Sequence, residues 1–184
     1  EILSPVTDMS YAFYGCTSLI NTPQLPNTVT DMNDTFEACT KLAMITNIPT
    51  SVININSTFE GCEELTIVPT LPDTVESMYY TFRDCKKLTT VTNLPNQLKT
   101  LYGAFSGCSS LQNIPSLPTE LTSLGWAFSG CSSLQNIPEI PESVIDMSYA
   151  FMNCTSLETA PEIPKNVEEL GATFYGGSNL QGEL

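Results

Sequence analysis

The sequence contains no histidine among its 184 residues. Histidine is the commonest general base in enzymes, and it activates the nucleophile in Ser-His and Cys-His pairs. Its absence excludes those arrangements and leaves paired carboxylates as the one plausible route to catalysis.

Basic residues are also scarce, because six lysines and arginines face twenty acidic residues and the net charge is −14. Such a surface repels phosphate backbones and anionic membranes, so nucleic acid is not an expected partner. The charge also keeps a large surface soluble. Charged residues nevertheless make up only 14% of the chain against 41% apolar ones, which is too apolar for disorder.

Long hydrophobic runs are missing, since none approaches the roughly 18 apolar residues of a membrane helix, and no membrane span is expected. An initiator methionine and a signal peptide are missing as well. The chain begins in mid-repeat, with Ile2 in the place that Leu25 and Ile48 take later. We interpret it as a fragment or mature piece of a longer protein.

What the sequence does contain is a repeat. Residues 104–115, AFSGCSSLQNIP, recur without change at residues 127–138. All eight phenylalanines share the same spacing of 23 residues: Phe13, Phe36, Phe59, Phe82, Phe105, Phe128, Phe151 and Phe174. Fixed self-similarity at this period indicates a solenoid in which each coil buries its apolar side against its neighbours.

Numbered from phenylalanine as position 1, the motif reads F-x-x-C-x-x-L-x-x-I-P-x-L-P-x-x-V-x-x-M-x-x-A/T. An apolar residue at every third position fits neither an amphipathic helix nor a long alternating strand. Proline at position 14 and often at position 11 excludes long helices. The pattern predicts short extended pieces joined by turns, with positions 1, 4, 7, 10, 13, 17 and 20 in the core.

This motif resembles the BspA-like leucine-rich repeat of bacterial surface proteins and of parasitic protists. The resemblance covers essentially the whole chain, although Gly177 stands where the last cysteine is expected and proline interrupts the usual strand. It implies a right-handed solenoid with a parallel sheet through L-x-x-I, a cell-surface or extracellular location, and roles in adhesion or in binding host or matrix proteins.

The predicted fold is therefore mainly β with short turns or single helical turns, a right-handed leucine-rich-repeat solenoid of about eight coils. We expect a single domain over residues 1–184. Its full repeats are 13–35, 36–58, 59–81, 82–104, 105–127, 128–150 and 151–173, and its partial repeats are 1–12 and 174–184.

Seven cysteines occupy position 4, and their spacing follows the repeat instead of a metal-ligand pattern such as C-x-x-C. Parallel Cβ vectors about 4.8 Å apart are too far apart for the preferred disulfide geometry. We expect a column of free, buried thiols, and neither a metal nor a cofactor.

Carboxylates lie one repeat apart at position 19, where Asp8 precedes Asp31 and Asp146 precedes Glu169, and at position 12, where Glu139 precedes Glu162. Such a pair could hold Ca²⁺ or serve a glycosidase. Like-charged neighbours on a solvated face are the commoner explanation, and no Asp-rich calcium loop is present.

Two sets of residues are candidates for binding a partner. Positions 8 and 9 are apolar in the first three repeats and polar later, so an outer sheet face would present an apolar patch. This patch is either an interface or a surface that a preceding repeat covers. It contains Ile20, Ala43, Met44 and Ile67.

The second set is aromatic and clusters at positions 21 and 22. These rings either form an outward stripe that binds protein or sugar, or lie over the corner of the coil and cover the core. They are Tyr11, Tyr79, Tyr80, Tyr102, Trp126 and Tyr149.

The sequence thus favours a non-catalytic binding module that recognises a protein or glycan at a cell surface or in a matrix. One alternative is a carbohydrate-active enzyme that uses Asp146 and Glu169. The other is a purely structural spacer.

Overall fold

A computed structural model describes residue 2 and residues 5–181. The chain winds as stacked coils, and equivalent residues of successive coils lie side by side. Two strands occur among the described residues, β1, Ile67–Val68, and β2, Thr90–Val91. They pair in parallel, with Ile67 opposite Thr90 and Val68 opposite Val91.

The strands are shorter than a sheet through the whole of L-x-x-I would require. In β1, Pro69 follows directly and supplies no N–H for a further rung. Between other neighbouring coils, pairing on this side is limited to single bridges, Asn21 with Met44 and Thr159 with Gln181, or is absent within the described residues. The parallel sheet that the resemblance implies is therefore discontinuous, in keeping with the prolines that interrupt the usual strand.

A second line of parallel contacts runs along position 19. Single bridges connect Asp8 to Asp31 and Asp31 to Asn54. A longer series connects Ser77, Thr100, Ser123, Asp146 and Glu169. The extended piece on this side is therefore only one residue long at each coil, and it still brings the position-19 carboxylates next to each other.

The corner that carries phenylalanine alternates between two kinds of backbone hydrogen bond. The N–H of Phe105 donates to the Ala127 carbonyl of the next coil at 2.9 Å, whereas the N–H of Cys108 donates back to the Phe105 carbonyl at 3.1 Å. This alternation requires left-handed backbone at positions 22 and 3, as in Gly103 and Gly107. The corner is a series of tight turns, as predicted.

The core consists of columns of identical side chains. Consecutive phenylalanine rings stack nearly parallel, at centroid distances of 5.2 to 5.8 Å. The predicted core positions are buried through the middle of the molecule. In the last described coil Leu170 is 46% exposed, because no following coil packs on it within the described residues.

The buried cysteine side chains form hydrogen bonds with the backbone of the neighbouring coil. Each buried thiol donates to the phenylalanine carbonyl of the preceding coil, at sulfur–oxygen distances of 3.1 to 3.3 Å. Burial raises the pKa of these thiols, that of Cys154 to about 12. The expectation of free, buried thiols is confirmed for six cysteines. It is wrong for Cys16, which is exposed because no described coil covers it.

We expect a thiol reagent to modify one cysteine per native chain, Cys16, and the other six only after unfolding. The buried thiols are inaccessible, and their raised pKa values leave little thiolate at neutral pH. A colourimetric thiol titration in buffer and in denaturant measures both numbers. A Cys16→Ser variant should show no native reaction, and rapid modification of further thiols in that variant would contradict the burial of the column.

Candidate partner-binding surfaces

The first candidate surface lies on the outer face of the β1–β2 side. Ile20, Met44 and Ile67 are 58%, 55% and 52% exposed there. The N–H groups of Ala43 and Met44 both donate to the Ile20 carbonyl, which holds the first two coils together. Beyond Ile67 the face becomes polar at Thr90. We call Ile20, Ala43, Met44 and Ile67 the apolar sheet patch.

The aromatic residues lie on a different side, at the corner before each phenylalanine. Tyr79 stacks on Tyr102 with centroids 5.0 Å apart and an angle of 6° between the rings. Trp126 stacks on Tyr149 at 4.3 Å and 15°. Tyr80 stands edge-on to both Tyr79 and Tyr102. These rings therefore cover one another along the solenoid axis, and their edges are what solvent reaches.

Two glycines make room for these rings. A Cβ on Gly103 would come within 2.2 Å of the Tyr80 ring, and one on Gly125 within 2.9 Å of the Tyr102 ring. The guanidinium of Arg83 lies 5.0 Å from the centroid of Tyr80 and holds it from outside. The aromatic rings from Tyr79 onward thus pack on one another, although Tyr79 and Tyr149 are still 42% and 36% exposed. Tyr11 lies outside this packing, is 60% exposed, and contacts only the tilted ring of Tyr14 among the aromatic residues described.

Of the two carboxylates that the catalytic alternative requires, Glu169 is exposed and forms no side-chain hydrogen bond within the described residues, whereas Asp146 is engaged in several. Asp146 accepts from the backbone N–H and hydroxyl of Ser148 at 2.9 and 2.6 Å, and from the Ser123 hydroxyl at 2.8 Å. Asp31 likewise accepts from Asn33 and Asn54. A general acid or nucleophile at Asp146 would have to give up these bonds. No group of three or more potential metal ligands occurs within the described residues.

One cluster was not predicted from the sequence. Asp34, Glu37 and Glu60 come together at the corner of neighbouring coils. Burial, a hydrogen bond that the protonated Glu37 carboxyl donates to Asp34, and the charges of Glu60 and Asp34 raise the pKa of Glu37 from 4.5 to about 7. Burial also raises the pKa of Glu60, although Arg83 opposes that shift. Only the repeat register, which places positions 22 and 2 side by side, could have revealed the cluster.

Replacing Glu37 with glutamine is expected to stabilise the protein by about 1 kcal/mol at pH 8 and to change little near pH 4.5. The folded pKa lies above the unfolded one, so the native chain loses stability as pH rises from about 4.5 through 7. Urea unfolding at both pH values measures the difference. Exposed Glu120 on a distant coil provides the control, since Glu120→Gln should show no such pH dependence.

No helix in the described part of the chain is long and apolar enough to cross a membrane. Stacked coils of 23 residues with inward leucines and one extended, paired side define a leucine-rich-repeat solenoid. The chain belongs to the BspA type leucine-rich repeat family, whose model matches six copies over residues 7–111 and 78–182. No curated protein shows a significant match to the chain.

Solved bacterial leucine-rich repeat proteins share this fold. The alignment with a leucine-rich repeat protein from Bacteroides ovatus shows 28% sequence identity and a TM-score of 0.65. It covers 96% of this chain and 58% of that protein. The alignment with the T. pallidum leucine-rich repeat protein shows 29% sequence identity and a TM-score of 0.69. It covers 83% of this chain and 72% of that protein. The alignment with a leucine-rich repeat protein from Eubacterium ventriosum shows 26% sequence identity and a TM-score of 0.67. It covers 86% of this chain and 43% of that protein.

Proposed function

We propose that the chain is a non-catalytic cell-surface binding module that recognises a protein partner through the apolar sheet patch. The observation that carries this proposal is that Ile20, Met44 and Ile67 are each more than half exposed on one face of neighbouring coils. Contiguous exposed apolar side chains rimmed by polar ones are typical of protein-interaction sites.

The geometry of the aromatic corner favours a protein partner over a glycan. A sugar ring packs on a free aromatic face, whereas Tyr79 and Tyr102 face each other, as do Trp126 and Tyr149. The exposed edges and hydroxyls can still donate hydrogen bonds at the margin of an interface. We therefore assign the corner a secondary role and the apolar sheet patch the primary one.

The extracellular or cell-surface location is part of the same proposal and follows from the family resemblance. Cells that produce the full-length protein should expose it to an impermeant biotin reagent, and a purely intracellular pool would contradict the location. The longer bacterial relatives leave room for further segments, since the chain spans 58% of the Bacteroides ovatus protein.

The binding proposal is tested by interferometry against a panel of purified matrix and cell-envelope proteins. A triple variant with serine at positions 20, 44 and 67 should weaken saturable binding by about tenfold or more. The matched control replaces Gln112, Asn113 and Asn136, polar residues of the same face, with serine and should bind as the native chain does.

Two further variants separate the alternatives. Alanine at Tyr102, Trp126 and Tyr149 should change affinity less than the serine triple variant does, and the reverse order would move the site to the aromatic corner. Release of reducing sugar from a glycan panel, abolished by Asp146→Asn, would favour the enzyme. Absence of saturable binding to every panel protein would favour the spacer.

A further inference from the structure

The edge of the solenoid formed by positions 10 to 15 carries a groove that the proposed function does not use. Between residues 137–142 and 161–164 it encloses about 300 Å³. Two further grooves lie between the preceding coils: one of about 240 Å³ shares residues with the first groove, and one of about 350 Å³ shares residues with that second groove. The floor of the first is apolar and consists of Ile137, Pro138, Ile140, Pro161, Ile163 and Pro164.

The grooves coincide with a change at position 12. In two earlier coils this position holds an asparagine that bonds to the preceding coil, whereas the other two hold Gln24 and Thr70. The Asn93 side chain accepts from the Leu71 N–H at 3.2 Å and donates to the Leu71 carbonyl at 3.4 Å. Asn47 does the same to Leu25. In the later coils Ser116, Glu139 and Glu162 stand at this position without such bonds in the described part of the chain, and each lines an intercoil groove.

Glutamate side chains give the first groove a negative charge. Glu139, Glu142 and Glu162 lie along the first groove, and all three are exposed. Residues 101–184 contain nine acidic residues and a single basic one, Lys165. In contrast, several glutamates of the middle coils are paired, as Glu63 is with Lys86 at 2.8 Å and Glu64 with Lys87 at 2.7 Å. The groove carboxylates make no ion pair within the described residues.

We propose that this proline-edge groove binds an extended peptide segment that carries arginine. Three coil spacings of about 4.8 Å give the joined grooves a length of roughly 14 Å, which matches about four extended residues. The aliphatic part of an arginine side chain packs on isoleucine and proline, and its guanidinium pairs with a carboxylate through two hydrogen bonds. The groove supplies both surfaces in one place.

The probe is a fluorescein-labelled hexapeptide of alternating glycine and arginine, and its control replaces arginine with uncharged citrulline of the same shape. We expect saturable fluorescence anisotropy with the arginine peptide and at least tenfold weaker binding of the citrulline peptide. The double variant Glu139→Gln, Glu162→Gln should also lose about tenfold or more in affinity. The matched double variant Glu158→Gln, Glu168→Gln removes the same charge outside the three grooves and should lose less than threefold.

Methyl NMR spectra locate the site without reference to charge, because Ile137, Ile140 and Ile163 should shift on peptide addition. The proposal is overturned if both double variants lose affinity equally, since the peptide then senses only net charge. It is also overturned if other isoleucines shift in place of these, or if calcium chloride alone shifts them and the peptide does not. The serine variant of the apolar sheet patch should retain full peptide binding, so this site and the proposed partner site can fail separately.

Discussion

Replacing Phe105 with alanine is expected to lower the free energy of unfolding by about 3 to 5 kcal/mol. The ring is fully buried and stacks between Phe82 and Phe128, with both centroid distances at 5.6 Å. Its removal leaves a cavity bounded by two rings that cannot close the gap, since the intercoil backbone bonds fix the spacing of the coils. Urea unfolding followed by circular dichroism measures the loss.

Phe13→Ala is the matched control for this prediction. Phe13 is only half-buried and stacks on one ring, that of Phe36, at 5.2 Å. The same truncation should therefore cost about half as much or less. In a solenoid each coil contacts only its neighbours. Phe105→Ala should therefore also broaden the unfolding transition, because the coils before and after the substitution can then unfold separately. Equal losses at both positions would show that the stack contributes nothing beyond single-ring burial.

The repeat register and the core could be predicted because buried columns accept few residue types. Phe105, Cys108 and Leu111 recur in every central coil since each must fit an identical neighbour above and below. The family model and the solved structures confirm the fold that this register implies. The sequence was less informative at the ends, where Cys16 and Leu170 follow the pattern and are nevertheless exposed.

The conformation of the corner could not be predicted in the same way. Tyr80 and Trp126 adopt φ values of 53° and 58°, in a region that residues other than glycine rarely enter. Their neighbours impose it, because the N–H of Tyr80 must reach the Tyr102 carbonyl of the next coil at 3.0 Å. A pattern of residue types shows which rings share a corner. It does not show that the rings stack on each other.

The two proposed binding surfaces differ in how a substitution there affects the packing of the repeat. The apolar sheet patch consists of outward residues that can vary without touching the core, so their identity is free to follow a partner. At the proline edge, position 12 can bond to the preceding coil, as Asn93 does, or line a groove, as Glu139 does. Variation there changes the shape of the surface as well as its chemistry.

Replacing Gly103 with alanine is expected to lower the free energy of unfolding by about 2 to 4 kcal/mol. Its φ of 61° alone costs an alanine about 1 kcal/mol. The added Cβ would lie 2.2 Å from two carbons of the Tyr80 ring, so the ring must move. Movement breaks its edge-on contacts with Tyr79 and Tyr102 and its contact with Arg83, which accounts for the remainder. Urea unfolding measures the loss.

Gly15→Ala separates the two contributions, because Gly15 has a similar φ of 68° and nothing within 4 Å of its Cβ position. It should cost about 1 kcal/mol, the backbone contribution alone. In a Tyr80→Ala background, Gly103→Ala should likewise cost about 1 kcal/mol, so the double-mutant cycle should give a coupling energy of about 1 to 3 kcal/mol. If Gly103→Ala costs no more than Gly15→Ala, the Tyr80 ring is free to turn away, and the aromatic corner is an adaptable surface instead of a packed cover.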